Sequence, residues 1–318
     1  MSVNMSDIER NKAILNYPIP VKLNIVIFFI SLITGWYLLW VASHASILYM
    51  LIAAFIFSLI HNTLFSLMHE AVHGIFSNNK SINEFFGVIL GATFPTSFTM
   101  QKIAHLGHHK RNRTDKELYD YYLPHESKRL RDFWMYTGNL FGLYWFCIPF
   151  SNLIIITMPM LFKSQWFIHG PARILGFEAY LQEIAEYSIV RIWFEALFAL
   201  IYQVMLWYIL DLSWQGWLLC YWFFALHWSA LQYVDHAWSP RDIINGAWNL
   251  RVLPISRLLA LNYHYHLAHH QHPLIPWIYL PKFVKDDDEQ PTFWSIYFSL
   301  WGGTRPAPPM VETTAEVI

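Results

Sequence analysis

The chain reads as an all-α integral membrane protein. It is expected to have about four transmembrane helices in two hairpins, with a cytoplasmic cap carrying a histidine-rich dimetal site. Three observations lead there. Apolar residues make up 55% of the 318 residues and charged residues only 14%, against roughly 25% charge in soluble domains. Four apolar runs, at 21–42, 47–67, 192–210 and 217–234, approach the length that crosses a bilayer. Eight of the 16 histidines crowd into three short stretches, each close to such a run. The net charge of −1 gives no electrostatic footprint for nucleic acid. The two cysteines, Cys147 and Cys220, both sit in apolar runs. They read as reduced core residues, too few for a disulfide framework or a cysteine-rich zinc site.

In chain order, residues 1–19 form a polar cytoplasmic leader with Arg10 and Lys12, closed by Pro18 and Pro20. No cleaved signal is read, because the first apolar run is too long for a signal-peptide core. The membrane domain spans 20–285. The runs 21–42 and 47–67 form the first hairpin, turning at Ser43–Ser46, and return the chain to its starting side just before His69. Residues 85–98 are apolar but short and carry Gly87, Gly91 and Pro95, which suits a re-entrant or interfacial segment. A basic stretch follows, from Lys102 to Arg131. Residues 133–162 are apolar but broken by Gly138, Gly142, Pro149 and Pro159, so a broken span and an interfacial helix pair both remain open. The second hairpin, 192–210 and 217–234, delivers Asp235 and His236 to the side of the histidines. Residues 286–318 are a tail, partly disordered, with the Pro-, Thr- and Glu-rich run from Thr304 as the disordered part. The external turns at 43–46 and 211–216 carry no Lys or Arg. That asymmetry places both termini and the histidines in the cytoplasm.

The histidine spacings carry the chemistry. His69 and His73 stand at i, i+4. His105-Leu106-Gly107-His108-His109 and His266-Leu267-Ala268-His269-His270 repeat an H-x-x-H-H spacing, which puts three imidazoles on one helix face. Neutral imidazole is the commonest protein metal ligand. Eight or more such nitrogens exceed one ion and suit two. Imidazole serves Zn, Cu, Fe and Ni alike, but a nitrogen-rich pair beside an apolar cavity suits redox iron better than hydrolytic zinc. His69-Glu70-Ala71-Val72-His73 alone also fits the H-E-x-x-H helix of a membrane zinc protease, which would leave six clustered histidines unused. Isolated histidines read otherwise: His44 at an external turn, His125, His169 and His264 solvated or hydrogen-bonding, His61 and His227 turned into the bundle.

Over two hairpins, the order H-x-x-x-H, H-x-x-H-H, H-x-x-H-H resembles the membrane-bound fatty acid desaturase/hydroxylase superfamily, the three-histidine-box diiron enzymes. The resemblance covers roughly residues 20–285. It implies two iron ions (Fe2+/Fe3+), O2 as co-substrate and oxidation of a long-chain fatty acyl substrate at an unactivated C–H bond, most simply desaturation. Hydroxylation, oxidative decarboxylation of a free fatty acid to a terminal alkene, and carotenoid ketolation or hydroxylation use similar boxes. A non-catalytic metal or haem carrier is the rival outside enzymes. His69, His73, His105, His108, His109, His266, His269 and His270 are the implied ligands. His236 stands where family members place one more, about thirty residues before the third box. Animal acyl-CoA desaturases hold an iron through water with an asparagine four residues before that histidine; here the position is Gln232. The chain has no His-Pro-Gly-Gly signature and no ferredoxin cysteines. Electrons are therefore expected from a separate ferredoxin or cytochrome b5 with its reductase, docking on the basic stretch.

Four further groups are read around the site. Asp235 could fix the tautomer of a ligand histidine or pair with Arg241 or Arg251. Glu70 is either an orienting acid or part of a solvated helix face. Asn112 and Asp115 could orient the second box. Lys102, Arg111 and Arg113 could hold a carboxylate or phosphate headgroup or face anionic lipid.

Overall fold

In the computed structural model, residues 16–174 and 176–311 are described. Arg10, Lys12 and the end of the tail lie outside them. The first hairpin is formed by α1 (Val21–His44) and α2 (Ile47–Val72). At 1.5 Å per residue they run about 36 and 39 Å, longer than a hydrocarbon core of about 30 Å. Val26, Phe29, Ile30 and Ile33 of α1 and Leu48, Ile52 and Phe55 of α2 face outward. A continuous exposed apolar face of this kind fits lipid, not water.

The expected re-entrant segment is a helical hairpin, α3 (Lys80–Thr93) and α4 (Phe98–Arg111), joined by a buried turn at 94–97. A helix end inside a bundle leaves orphan carbonyls and N–H groups that water cannot reach. Here side chains from four long helices satisfy them. Gln203 Nε2 donates to Ala92 O at 2.9 Å, and Tyr221 Oη to Thr93 O at 3.2 Å. A ring nitrogen of His61 lies 2.9 Å from that same oxygen. On the α4 side, Asn152 Oδ1 accepts from Ser97 N at 3.1 Å. Glu195 Oε2 accepts from Thr99 N and Ser97 Oγ, both at 2.7 Å, and Oε1 from Thr99 Oγ1 at 2.9 Å. These polar residues explain themselves as caps, and α4 is the helix that carries the second histidine box.

Residues 133–162, left open by the sequence, are a sharply bent helix pair. The short α5 (Lys128–Trp134) runs through a π-helical turn to Leu140, and α6 (Leu143–Thr157) leaves at 79°. Gly142 makes the corner at φ +74°, where a Cβ would lie 2.7 Å from the Ala225 carbonyl carbon. Irregular turns then lead to α7 (Glu178–Ala185) and the second hairpin, α8 (Ile189–Ile209) and α9 (Trp214–Val234).

By length and apolarity α1, α2 and α8 can cross a membrane, and the bent pair raises the number to four. The expected crossing at 217–234 differs. The helix α9 matches α8 in length, but where α8 has four isoleucines and two valines α9 has only Val234, and with Gln215, His227 and Gln232 it is less apolar. It packs inward against α1, α2 and α6, a position that tolerates polar side chains. Cys220 is buried as expected, whereas Cys147 lies exposed on α6.

Three short helices complete the chain: α10 (Pro254–Leu259), α11 (His266–Gln271) and α12 (Phe293–Leu300), the last packed on α9. The run from Thr304, expected to be disordered, is tied down as far as residue 311. Arg305–Pro306 pairs in parallel with Tyr121–Tyr122. Arg241 Nη1 donates to Pro308 O at 2.8 Å, and Val311 N to Arg241 O at 3.0 Å. Backbone pairing and a buried arginine order a segment whose composition alone could not.

Candidate metal centre

Nine histidines from four elements meet at one end of the bundle. His69 and His73 sit on the last turn and C-cap of α2; His105, His108 and His109 lie on α4. His236 follows α9, and His266, His269 and His270 fill the short α11. Their ring nitrogens sort into two groups, each within 4.8 Å and each able to hold one metal ion. One contains His69, His73, His105, His109 and His269; the other contains His108, His236, His266 and His270. The groups touch, with the His109 and His270 rings stacked 4.3 Å apart.

The helical period explains the division. Residues i and i+4 lie nearly one above the other, and i+3 falls on the neighbouring stripe. Box two therefore sends His105 and His109 to the first group and His108 to the second. Box three does the reverse, sending His266 and His270 to the second group and His269 to the first. One shared face, as read from spacing, becomes two adjacent stripes.

The donor set fits a cation. His105 Nε2 lies 2.8 Å from His73 Nε2 and 3.0 Å from His109 Nε2, and His109 Nε2 lies 3.0 Å from His269 Nε2. A neutral imidazole has one N–H and one lone pair, so such a chain cannot satisfy every nitrogen with protons. The buried His69 Nε2 and both oxygens of the buried Asp235 have no hydrogen-bond partner. Burial holds His105, His109, His236, His266, His269 and His270 well below the ordinary imidazole range, and pushes His73 down to about 3. These rings are therefore neutral at pH 7, the form that binds metal. Two nitrogens on one metal, each at about 2.1 Å, stand at most about 4.2 Å apart, close to the observed spread.

The surroundings fix the rings. Glu117 Oε1 lies 2.5 Å from His108 Nδ1. Sequence spacing gave no signal for it, because a loop turn lies between them. His236 Nδ1 donates to Gly246 O at 2.7 Å, and Asn112 Nδ2 donates to the same oxygen at 3.1 Å. Asn112 thus holds the loop behind His236, not a box-two ring. A side chain at Gly246 would run into Arg113 and the Asp242 carbonyl. Asp235 approaches His266 Nδ1 at 3.6 Å, longer than a hydrogen bond; it pairs with neither Arg241 nor Arg251. Asp115 pairs with Arg241 at 2.5 Å.

Glu70 is buried, not solvated, and its Oε2 accepts from Trp277 N at 3.1 Å. It lines a small cavity with His69, Tyr263 and His269 but stands outside both nitrogen groups. An H-E-x-x-H site uses two histidines and one further ligand, whereas seven more histidines join His69 and His73 here, and the Glu70 carboxylate is engaged by Trp277 N. Gln232 accepts from Tyr263 Oη at 3.0 Å. It supports the ring that lies 5.0 Å from both His69 and His266. His264 is buried with Nδ1 unpartnered, not solvated, and it joins neither group.

Backbone strain flanks the site. Among the described residues, five non-glycine positions have positive φ. Arg113 follows box two, Trp238 follows His236, and Leu261 and Asn262 precede box three; only Asp211 is remote. Strained backbone of this kind gathers at functional sites where the surroundings hold it in place. Arg113 is buried in a bidentate pair with Asp120 at 2.8 and 2.9 Å, and Asp120 also accepts from Trp238 N at 2.7 Å. The pair ties the loop after box two to the loop after His236, so Arg113 faces no headgroup. Arg111 is likewise engaged by Glu183 at 2.7 Å, and Lys102 by Glu84 at 3.1 Å.

Apolar helices of spanning length and two touching histidine groups define a class: helical proteins of membrane-spanning character with a histidine cluster able to hold metal. The fatty acid desaturase family profile matches residues 45–299, and the chain belongs to that family. No curated protein matches the chain.

Proposed function

We propose that the protein is a membrane-bound diiron oxidase that uses O2 and two electrons to oxidise a long fatty acyl chain, by desaturation. The observation that supports this most is the pair of touching, all-histidine groups of five and four in a chain of the fatty acid desaturase family. His69, His73, His105, His109 and His269 would hold one iron, and His108, His236, His266 and His270 the other. Iron held there would activate O2, the oxidant, for attack on an unactivated C–H bond. The chain's own groups supply the rest. Burial keeps His73, His105, His109, His236, His266, His269 and His270 neutral, Glu117 and Gly246 O fix ring tautomers, and the packed wall around α11 excludes water. His105, His108 and His109 are partly exposed while the other six are buried, so substrate reaches the centre past α4. Tyr119, Tyr233, Tyr144 and Phe177 form a row of ring contacts on that side, suited to an apolar chain.

The absence of Lys and Arg from the external turns supports a cytoplasmic centre. A separate ferredoxin or cytochrome b5 would deliver the electrons. Internal pairing of Lys102, Lys110, Arg111, Arg113, Lys128 and Arg131 leaves Lys116 and Arg129, among the described residues, as the exposed cations without an ion pair in that stretch. Neutralising both should slow donor-dependent turnover at low salt and not at high salt; equal rates at low salt would move the docking site elsewhere. The test of the function is metal content of the purified protein together with lipid analysis of expressing cells. Two irons per chain with new double bonds are expected. New hydroxyls or terminal alkenes would change the reaction, and one zinc with unchanged lipids would overturn the proposal.

A further inference from the structure

The two histidine groups use one residue type but are backed by different charges. Glu117 stands 2.5 Å behind His108, whose Nε2 joins the four-histidine group 3.1 Å from His236 Nε2. Asp235 stands 3.6 Å behind His266 of the same group. Among the described residues, no Asp or Glu oxygen lies within 4.0 Å of a ring nitrogen of the five-histidine group; the histidine–carboxylate approaches are those of His44, His108, His169 and His266. Glu70, the carboxylate nearest to that group in sequence, is turned to Trp277 N.

We infer that Glu117 is a positioning residue that makes the two metal positions inequivalent. The inference rests on the reading of both groups as metal positions. A carboxylate on Nδ1 holds the proton there and leaves the Nε2 lone pair for the ion. It also makes the ring a stronger donor and places negative charge close behind a buried cation, where the low dielectric screens it little. Arg111 Nε, 3.6 Å from Glu117 Oε2, keeps the carboxylate turned to His108 on its other oxygen. The five-histidine position gains a fifth nitrogen but no countercharge. The four-histidine position is thus held by charge, and the other by ligand number.

The test is a Co2+ titration of the chelator-stripped full-length protein in detergent, read by visible absorption. The wild-type chain should take two equivalents with distinct affinities. In Glu117→Gln the amide can still accept from Nδ1, so only the charge is lost. One equivalent should weaken about 10-fold or more, within the 10–100-fold range typical of such partners, while the other shifts less than about twofold. Asp235→Asn should weaken that same equivalent. Equal weakening of both equivalents, or of neither, would overturn the inference. If Glu117→Gln fails to insert, two indistinguishable affinities in the wild-type chain would overturn it as well. A wild-type chain that takes fewer than two equivalents would instead overturn the reading of the site, and the inference with it.

Discussion

The five-histidine and four-histidine groups draw on overlapping parts of the chain yet are supported in different ways. The first gathers rings from the end of α2, from α4 and from α11, the first two being helices of 26 and 14 residues with well-packed cores. The second takes His108 from α4 and His266 and His270 from the six-residue α11, and it leans on loops for the rest. His236 follows the end of α9 and is held by the Gly246 carbonyl, and His108 is held by Glu117 from the loop after α4. Rings on long helices are pre-shaped by the bundle, whereas a ring on a loop, such as His236, needs a partner that locks it. The orienting carboxylates stand where the backbone is least regular, and so does much of the positive-φ strain at Arg113 and Trp238.

The largest effects should come from the ligands themselves. His269→Ala removes a ring from the five-histidine group and His266→Ala one from the other. Each should abolish turnover and lower metal content from two ions to about one, read by elemental analysis of protein that still inserts. Loss of both ions from either variant would mean that the two positions bind as one unit.

Acid should act next on the metal-free protein. The unfolded chain takes up protons on histidine near pH 6.5, but the buried rings resist until far lower, His73 until about 3. The unfolded state then binds more protons, so stability falls as pH drops below 6.5. The melting temperature of the chelator-stripped protein should fall steadily from pH 7.5 to 5. A flat profile would mean that these rings are not buried neutral.

A smaller effect separates the helix from its histidines. Glu195→Ala strips three hydrogen bonds from the start of α4, at a cost of about 1–3 kcal/mol in stability, measurable by thermal unfolding. Because α4 feeds both groups, both metal affinities should shift together, unlike the selective effect of Glu117→Gln. The smallest effect is expected from Glu70→Gln, which keeps an acceptor for Trp277 N. Metal content should not change; a lost ion would place Glu70 at the metal.

The histidine boxes, the long apolar helices and the extra ligand candidate His236 were legible because helical period and apolar run length are local properties. The short segment at 85–98 was legible as no full crossing from its length and glycines, and it forms the turn of the α3–α4 hairpin. What stayed hidden is long-range. Glu195 and Gln203 cap a turn about 100 residues away, and their role appears only once the hairpin is seated between the long helices. Arg113 and Lys102 resembled surface cations because their partners Asp120 and Glu84 carry no spacing rule linking them. The two stripes of each H-x-x-H-H box needed the third dimension to assign. Thr304–Val311 looked disordered by composition, and Arg241 and Tyr121–Tyr122 order it.

The most direct test of the central claim is an experimental structure of the iron-loaded protein with anomalous scattering measured at the iron edge. Two peaks are expected, one enclosed by His69, His73, His105, His109 and His269 and the other by His108, His236, His266 and His270. A single peak, or one beside Glu70 between His69 and His73, would contradict it.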